Sequence, residues 1–397
     1  MHPADHLRGT KSDKLKGRKI VLGVTGSIAA VECVKLCREL IRNGADVHAV
    51  MSKDAQGIIH PWALEFATGN PVTNEIDGRV QHVSLCGEVP DRADLLLIAP
   101  STANTISKMA FGIDDTSVTT FATTAIGGGM PVMVVPAMHG SMMAHKIVLE
   151  NIEKLRKLGV TVLMPKMEES KAKMPSIDYI VSSVISVIGK RDLVGRKVLV
   201  IAGATEEPVD DIRVLTNRSS GETGVELARA AYERGAMVEL WMGRCETDIP
   251  EYIKTIRFTS FASLAGLAKG AKHDIVLFPA AVSDYSPKKV DGKISSDQDS
   301  LTVVLKRNPK LIDRMKAKFV VGFKAQAKMK DEELVKEALG LIKRSKCSLV
   351  VANSVENVKK GKTKVIVVTP DGATDELEGT KFEVADRIID RVARMVG

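Results

Sequence analysis

The sequence is poor in aromatic residues, which make up 4% of its 397 positions. Proteins that hold single-stranded nucleic acids stack the bases on aromatic rings, so this scarcity argues against that class. Cysteine is rarer still. The five cysteines form an odd number without the spacing of a framework, which excludes a disulfide scaffold and favours a reducing, cytoplasmic compartment.

Long apolar runs are also missing. The longest stretch without a charged residue lies between Asp115 and Lys146, is rich in threonine and is interrupted by Pro131 and Pro136. We therefore predict loops and a buried strand there, rather than the roughly 20 apolar residues of a membrane span. The first 15 residues have no apolar segment of the signal-peptide type, and we expect them to be flexible.

The net charge of +8 is compatible with a nucleic-acid surface or with small anionic substrates such as phosphates and carboxylates. No helix-turn-helix, zinc-binding or RNA-binding pattern accompanies the basic residues. We therefore favour small anions and expect neither a nucleic-acid nor a membrane partner.

Two segments of the chain begin alike. The polar sequence LKGRKI precedes VLGVTG in the first half, and LVGRKV precedes LVIAGAT in the second. Each predicts a buried strand, a glycine turn and a helix, so we expect domains over 16–190 and 191–397 after the flexible residues 1–15. The apolar runs alternate with helical patterns, which predicts an α/β fold of two Rossmann-like domains, each a doubly wound, mostly parallel sheet.

Polar turns follow several of the predicted strands. In such sheets, ligands bind at the carboxyl ends of the strands. Gly26 and Ser27 begin the first turn, where Ser27 would bind a phosphate or simply cap an ordinary helix. Residues 100–105 and 136–142 form two further polar turns. Three polar turns at the same edge of the predicted sheet favour a ligand-binding site there. His82 is equally compatible with a catalytic base and with a core histidine.

The first half resembles the flavin-dependent cysteine decarboxylase family. The motifs VTGSIAA, a His before a short loop, APSTANT and PAM-x-x-x-M occur in that order over residues 18–186. The resemblance implies a flavodoxin-like domain that binds FMN, with His82 acting on the substrate thiol and His139 near the substrate carboxylate. The implied FMN-binding residues are Gly26, Ser27, Ile28, Ser52, Ser101, Thr102, Ala103 and Asn104.

Two departures from that family are visible. His139 stands where the bacterial pattern has Asn. In this respect the sequence PAMH resembles the archaeal branch of the family. The flap that carries a Cys in bacterial members is here residues 168–175, EESKAKMP, without Cys. In the family that Cys supports the last reductive step, so either another donor replaces it or the decarboxylase half is impaired. Cys86 is near in sequence, but nothing in the sequence assigns it this role.

The second half resembles phosphopantothenate–cysteine ligase over residues 196–355. The motifs that support this resemblance are AGATEEP, RVLTNRSSG, AAVSDY, GKI, KRNP, VGF and VAN. The resemblance implies that Asn217 acts on an acyl-cytidylate, that Lys293 helps to form it, and that Mg²⁺ accompanies the triphosphate, with Asp284 as a candidate metal ligand. The implied substrate- and nucleotide-binding residues are Arg213, Ser219, Ser220, Gly221, Ala280, Ala281, Asp284, Lys293, Asn308 and Phe323.

The two halves in this order resemble the bifunctional enzymes of coenzyme A biosynthesis. The implied reactions are CTP-dependent ligation of 4′-phosphopantothenate to L-cysteine, then FMN-dependent decarboxylation of 4′-phosphopantothenoylcysteine to 4′-phosphopantetheine. The resemblance also implies a homo-oligomer, with decarboxylase trimers and ligase dimers combining into a dodecamer. Three alternatives stay open: a ligase with a degenerate flavin domain, a flavin prenyltransferase-like first half, and a non-enzymatic regulatory flavoprotein.

Overall fold

The computed structural model describes residues 2–168, 171–297, 299–354 and 361–397. The chain divides into two compact units, Met1–Lys190 and Arg191–Gly397. No helix in the described ranges is long and apolar enough to cross a membrane.

The described residues of unit 1 form eight strands and nine α-helices. The strands are β1 (Lys19–Val24), β2 (Asp46–Met51), β3 (Leu95–Ser101), β4 (Val132–Pro136), β5 (Met138–His139), β6 (Thr161–Val162), β7 (Lys166–Glu168) and β8 (Lys171–Lys173). The helices are α1 (Cys33–Arg42), α2 (Lys53–Gln56), α3 (Pro61–Thr68), α4 (Gln81–Cys86), α5 (Ala103–Phe111), α6 (Ser117–Gly127), α7 (Gly140–Met143), α8 (Lys146–Lys157) and α9 (Ile177–Ile188), with 3₁₀ turns at Asp5–Leu7 and Ile28–Glu32.

The main sheet of unit 1 has the strand order β2-β1-β3-β4-β6, and every neighbouring pair is parallel. This is the flavodoxin-like order, in which the strand sequence reverses between β1 and β3. Alternate residues of β1 point to opposite faces: Leu22 joins the cluster under α1, α3 and α9, whereas Val21 joins the one under α5, α6 and α8. Helices therefore cover both faces, as predicted for a doubly wound sheet.

Twelve strands and four α-helices lie in the described part of unit 2. The strands are β9 (Lys197–Ala202), β10 (Glu206–Pro208), β11 (Val214–Thr216), β12 (Met237–Met242), β13 (Lys254–Arg257), β14 (Ile275–Phe278), β15 (Tyr285–Pro287), β16 (Leu305–Arg307), β17 (Phe319–Gln326), β18 (Leu349–Ser354), β19 (Lys362–Val368) and β20 (Thr374–Thr380). The helices are α10 (Glu222–Glu233), α11 (Phe261–Ala268), α12 (Asp331–Ser345) and α13 (Lys381–Val396), with a 3₁₀ turn at Leu311–Arg314.

The main sheet of unit 2 has the order β13-β12-β9-β14-β17-β18-β19-β20. Its first six strands are parallel and follow the Rossmann order, with the reversal between β9 and β14. The last two strands form an antiparallel extension. Helices α10 and α13 cover one face and α11 and α12 the other, so the predicted fold class is confirmed for this unit too.

Three local expectations differ from the structure. Residues 2–15 pack on unit 1 instead of extending freely, because Ala4 and Leu15 are buried in its core. The helix predicted after the first glycine turn begins as a 3₁₀ turn and becomes α-helical only at Cys33. The threonine-rich stretch forms α6, because a capping box starts it and its apolar residues recur at helical spacing.

Candidate active sites

A buried threonine joins the two loops at the strand-order reversal of unit 1. Thr25 follows β1 directly, and its hydroxyl donates to Pro100 O at 2.8 Å and accepts from Thr102 N–H at 3.1 Å. Thr25 is 1% exposed, so its hydrogen bond to Pro100 O is shielded from water and the one from Thr102 N–H is partly shielded. They fix the turn after β1 against the turn after β3, where a doubly wound sheet binds its ligand.

Gly26 lies so close to α2 that it cannot carry a side chain without movement. A Cβ placed on Gly26 would lie 2.5 Å from the Cβ of Asp54. Helix α2 is itself set at this edge by Ser52, whose backbone N–H donates to Val24 O at 3.0 Å and whose hydroxyl caps the helix. The packing brings the predicted residues Gly26, Ser27 and Ser52 to one loop cluster.

The turn after β3 presents hydroxyl groups at the start of α5. Thr102 caps this helix through Thr105 N–H at 3.2 Å, while Ala103 and Asn104 form its first turn. Ser101 is fully buried, and its hydroxyl has no hydrogen-bond partner within the described part of the chain. A buried hydroxyl without a partner is costly. This donor beside a helix N-terminus therefore fits the phosphate and polar groups of FMN.

A cleft of about 720 Å³ opens beside the first turn. Its volume is suited to a small-molecule ligand. Ser27 and Ile28 line this cleft, with Ile28 77% exposed, and so do His139 and the strand β8. The cations in its lining are Lys35, Lys171 and Lys173.

The two predicted histidines of unit 1 are placed differently. His139 is exposed, lines the cleft and pairs in register with Lys171 across β5 and β8. Its Nδ1 lies 2.9 Å from the Ser141 hydroxyl. His82 is half-buried on α4, contacts the edge of Phe121, and is not among the described residues that line this cleft. Its Nδ1 is buried and has no hydrogen-bond partner in the described ranges.

Cys86 is not placed to replace the missing flap cysteine. Its side chain is buried, it is not among the described residues of the cleft, and burial raises the pKa of its thiol to about 12. The thiol is therefore protonated and shielded at neutral pH. The flap itself is described at Glu168 and from Lys171 onwards, and residues 169 and 170 lie outside the described part.

Unit 2 repeats the threonine connection at its own strand-order reversal. Thr205 is buried three residues after β9, and its hydroxyl accepts from Ser283 N–H at 2.9 Å in the loop after β14. Asn217 reaches the same loop, because its side-chain amide donates to Ala281 O at 3.1 Å. The loops after β9 and β14 thus meet around the predicted residues Ala280, Ala281 and Asn217.

The segment from Ser219 to Gly221 leads into α10. Gly221 adopts φ +78°, and a Cβ there would lie 2.7 Å from the Cβ of Cys245, so a larger residue is excluded. Lys381 at the start of α13 pairs with Glu222 at 2.6 Å and lies 3.4 Å from the Ser220 hydroxyl. Backbone N–H groups, serine hydroxyls and a lysine therefore converge at one helix N-terminus, an arrangement that suits a phosphate.

Asn308 and Asp284 are held by neighbouring protein groups. The Asn308 side-chain amide donates to Ser283 O at 3.0 Å and to the Ser286 hydroxyl at 2.7 Å, so it shapes this loop. The Asp284 carboxylate is paired with Lys310. Within the described ranges, no three His, Cys, Asp or Glu side chains group as a metal site.

Lys293 lies on an exposed loop next to Arg213. Arg213 Nη1 donates to Asp210 at 2.6 Å and to Ile294 O at 3.2 Å. The backbone N–H of Arg213 contributes most to lowering the pKa of Asp210 to about 2, against the opposing effect of burial. Phe323 is half-buried in β17, the neighbour of β14 in the sheet.

Sequence reasoning missed the residues that connect these loops. Thr25, Thr205 and Asp210 were not predicted, and neither was Glu207, which is buried and accepts hydrogen bonds from Phe261 N–H and the Ser286 hydroxyl, both at 2.8 Å. One signal was available, because a threonine follows the first strand of each unit within three residues.

The two sheets and their loop clusters define a protein of two doubly wound α/β units. Residues 8–189 match the family model described as Flavoprotein, and residues 193–395 match the DNA/pantothenate metabolism flavoprotein C-terminal domain. The chain is 48% identical to the coenzyme A biosynthesis bifunctional protein CoaBC of Thermococcus kodakarensis, with 100% of both chains aligned. It is 36% identical to the protein of that name from Methanocaldococcus jannaschii, over 100% of this chain and 98% of the relative.

The chain belongs to the family of coenzyme A biosynthesis bifunctional proteins, and the predicted resemblance, including its archaeal character, is confirmed. Among solved structures, the C-terminal domain of a CoaBC protein aligns with 52% of this chain and 98% of that chain, at 28% identity and a TM-score of 0.44. The FMN-dependent cysteine decarboxylase SpaF aligns with 44% of this chain and 98% of that chain, at 27% identity and a TM-score of 0.38.

Proposed function

We propose that this chain joins 4′-phosphopantothenate to L-cysteine in unit 2 and decarboxylates the product in unit 1. The observation that carries this proposal is the presence, in one chain, of two doubly wound sheets, together with the full-length match to a bifunctional relative. CTP is the proposed nucleotide, and FMN the proposed cofactor of the second reaction. The five free thiols support a reducing, cytoplasmic setting.

For unit 2, the proposed first step is attack of the 4′-phosphopantothenate carboxylate on the α-phosphate of CTP, which releases pyrophosphate. Lys293 offsets the charge that develops on the phosphate. Ser219, Ser220 and Gly221 bind phosphate at the N-terminus of α10. Mg²⁺ enters with the triphosphate, because this ion is commonly held by substrate phosphates together with one or two carboxylates.

The proposed second step is attack of the cysteine amine on the acyl-cytidylate, which releases CMP. Asn217 is the side chain assigned to this intermediate, and its hydrogen bond to Ala281 O sets its amide at the loop after β14. Ala280, Ala281, Asp284 and Phe323 are the proposed nucleotide contacts at the same edge of the sheet.

For unit 1, we propose that the loops around Thr25 hold FMN, which when bound supplies the hydride acceptor that makes loss of CO₂ possible. The loop residues Gly26, Ser27, Ser101 and Thr102 orient its polar groups. His139 and Lys171, which face each other across β5 and β8, bind the substrate carboxylate in the cleft.

His82 is the proposed base for the substrate thiol. Because it does not line the cleft of its own unit, we propose that it acts in the site of a neighbouring copy, within a homo-oligomer. Trimeric decarboxylase units and paired ligase units, combined in a dodecamer, are the proposed assembly.

Two variants, one in each unit, test the proposal that ligation takes place in unit 2 and decarboxylation in unit 1. We expect His82→Asn to abolish CO₂ release and to leave pyrophosphate release unchanged, because the two reactions lie in separate units. We expect Lys293→Gln to lower pyrophosphate release to a residual rate and to leave CO₂ release from supplied 4′-phosphopantothenoylcysteine unchanged, with FMN still bound. The two activities are measured in separate assays on the same preparation, CO₂ release always with 4′-phosphopantothenoylcysteine supplied, and flavin absorbance reports that FMN is bound. Equal loss of both activities in either variant would contradict the assignment.

A second candidate function is favoured by the flap without cysteine: a ligase whose flavin unit has lost its chemistry. Chemically synthesised 4′-phosphopantothenoylcysteine given to the protein loaded with FMN separates the two. Release of CO₂ supports the bifunctional enzyme, and its absence, with FMN bound, supports the ligase alone.

A further inference from the structure

Two loops of unit 2 lie side by side and are joined by hydrogen bonds. The backbone N–H of Val290 donates to Val209 O at 3.0 Å, which aligns the segment 289–294 with the segment 209–213. Lys293 belongs to the first of these segments, and Arg213 to the second. Their backbones are therefore connected before any ligand is bound.

Asp210 makes most of this connection. One carboxylate oxygen, Oδ1, accepts from the backbone N–H groups of Ile212 at 2.8 Å and Arg213 at 2.6 Å. The other oxygen, Oδ2, accepts from the Arg213 guanidinium at 2.6 Å and crosses to the backbone N–H of Ile294 at 3.2 Å. Asp210 is only 2% exposed, so these hydrogen bonds to a charged acceptor are largely protected from water.

The residues on both sides of Lys293 are held. Ile294 N–H is bound by Asp210, and Gly292 N–H is bound by the Asp211 carboxylate at 2.9 Å. Lys293 itself is exposed, and its ammonium has no hydrogen-bond or ion-pair partner among the residues that the structure describes. The loop thus presents a cation without a protein partner on a fixed backbone, as a group reserved for an anionic ligand would require.

We propose that Asp210 is the positioning residue of the ligase reaction: it holds the backbone of Lys293 and the guanidinium of Arg213 in one place for formation of the acyl-cytidylate. The proposal rests on the ligase activity proposed for unit 2. Asp210 does not touch the reacting atoms in this account, and it acts through Lys293.

The test compares the same chemical change at two neighbouring positions. In Asp210→Asn, the amide Oδ1 can keep the two local hydrogen bonds, but Nδ2 cannot accept from Ile294 N–H or from the guanidinium. In Asp211→Asn, an amide oxygen can still accept from Gly292 N–H, and what is lost is the exposed pair with Lys289 at 2.6 Å. The second variant is therefore the matched control.

We expect Asp210→Asn to lower kcat for pyrophosphate release from CTP and 4′-phosphopantothenate about 10- to 100-fold, as misplacement of a catalytic group does. Asp211→Asn should stay within about threefold of wild type, because exposed ion pairs contribute little. The second half-reaction, cysteine with preformed acyl-cytidylate, does not use Lys293, so its CMP release should be unchanged in both variants. A merely structural defect in Asp210→Asn would lower both half-reactions equally and overturn the proposal.

A double-mutant cycle tests whether Asp210 acts through Lys293. On the Lys293→Gln background, Asp210→Asn should cause little further loss of pyrophosphate release, because the group that it positions is gone. Fully additive losses would show that Asp210 acts independently and would overturn the proposal.

Hydrogen exchange gives a readout that does not depend on activity. In Asp210→Asn the amide of Ile294 should exchange faster than in wild type, while those of α10 keep their protection. Unchanged exchange at Ile294 would refute the positioning role. Another outcome is that wild type releases no pyrophosphate while Asp210→Asn still shows faster exchange at Ile294 than wild type. In that case the proposed function fails, but the connection between the two loops stands.

Discussion

The hydroxyl of Thr25 offers the sharpest test of how unit 1 builds its ligand-binding edge. Thr25→Val keeps the shape of the side chain and removes two hydrogen bonds, a buried one to Pro100 O and a partly buried one from Thr102 N–H. Pro100 O still accepts from the backbone of residue 25 at 3.3 Å, but Thr102 N–H is left without a partner. Leaving a donor unpaired out of reach of water costs about 1–3 kcal/mol, and this partly buried N–H lies within that range together with the lost hydrogen bond to Pro100 O.

For a unit of this size, about 2 kcal/mol lowers the melting temperature by roughly 4–8 °C. We expect this shift in the unit 1 transition by scanning calorimetry, together with weaker binding of FMN measured by quenching of flavin fluorescence. Thr124→Val is the matched control, because its hydroxyl bonds within α6 to Thr120 O at 2.8 Å and crosses to no other loop. A Thr25→Val protein that melts and binds FMN as wild type does would refute the reasoning.

The remaining predictions concern one glycine and one carboxylate. Gly26→Ala should weaken FMN binding about tenfold or more, because its Cβ would collide with Asp54. Gly57→Ala is the control and should bind FMN normally, because its Cβ would meet nothing closer than 3.4 Å. Equal binding of FMN by both variants in a flavin titration would contradict this prediction. The pKa of Asp210 is lowered to about 2, below the roughly 3.9 of an unfolded Asp, so its stabilisation is complete above about pH 4 and is lost as the pH falls towards 2. The free energy of unfolding of wild type should therefore exceed that of Asp210→Asn by less as the pH falls through this window. Unfolding of unit 2 is measured by the fluorescence of the buried Trp241, with Trp62→Phe in both proteins. A stability difference that does not change with pH would contradict the assignment.

Much of the fold could be predicted from local patterns. Strands such as β1 and β9 are continuous apolar runs ended by turns, and this pattern is typical of a parallel sheet covered on both faces. Helix α6 was missed because threonine-rich segments have weak helical propensity, and here tertiary packing of Phe121 and its neighbours decides the structure. Residues 2–15 were also misjudged, since polar composition does not reveal two buried side chains.

The candidate sites were predicted in part, and the reason is physical. Residues in turns after strands, such as Ser27 and Ala281, could be placed because parallel strands end at one edge. The connections made by Thr25, Thr205 and Asp210 join positions that are 75 to 84 residues apart in sequence, which no local pattern encodes. The position of His82 outside the cleft was likewise visible only in three dimensions.

The most direct test of the whole account is one assay on the purified wild-type chain. Phosphopantothenate, cysteine, CTP and Mg²⁺ are supplied together, pyrophosphate and CO₂ are recorded in parallel, and bound FMN is measured by absorbance on the same sample. The account predicts both products, with CO₂ appearing after pyrophosphate and only when FMN is bound. Pyrophosphate without CO₂ from FMN-loaded protein would contradict the bifunctional enzyme and leave a ligase with an inactive flavin unit.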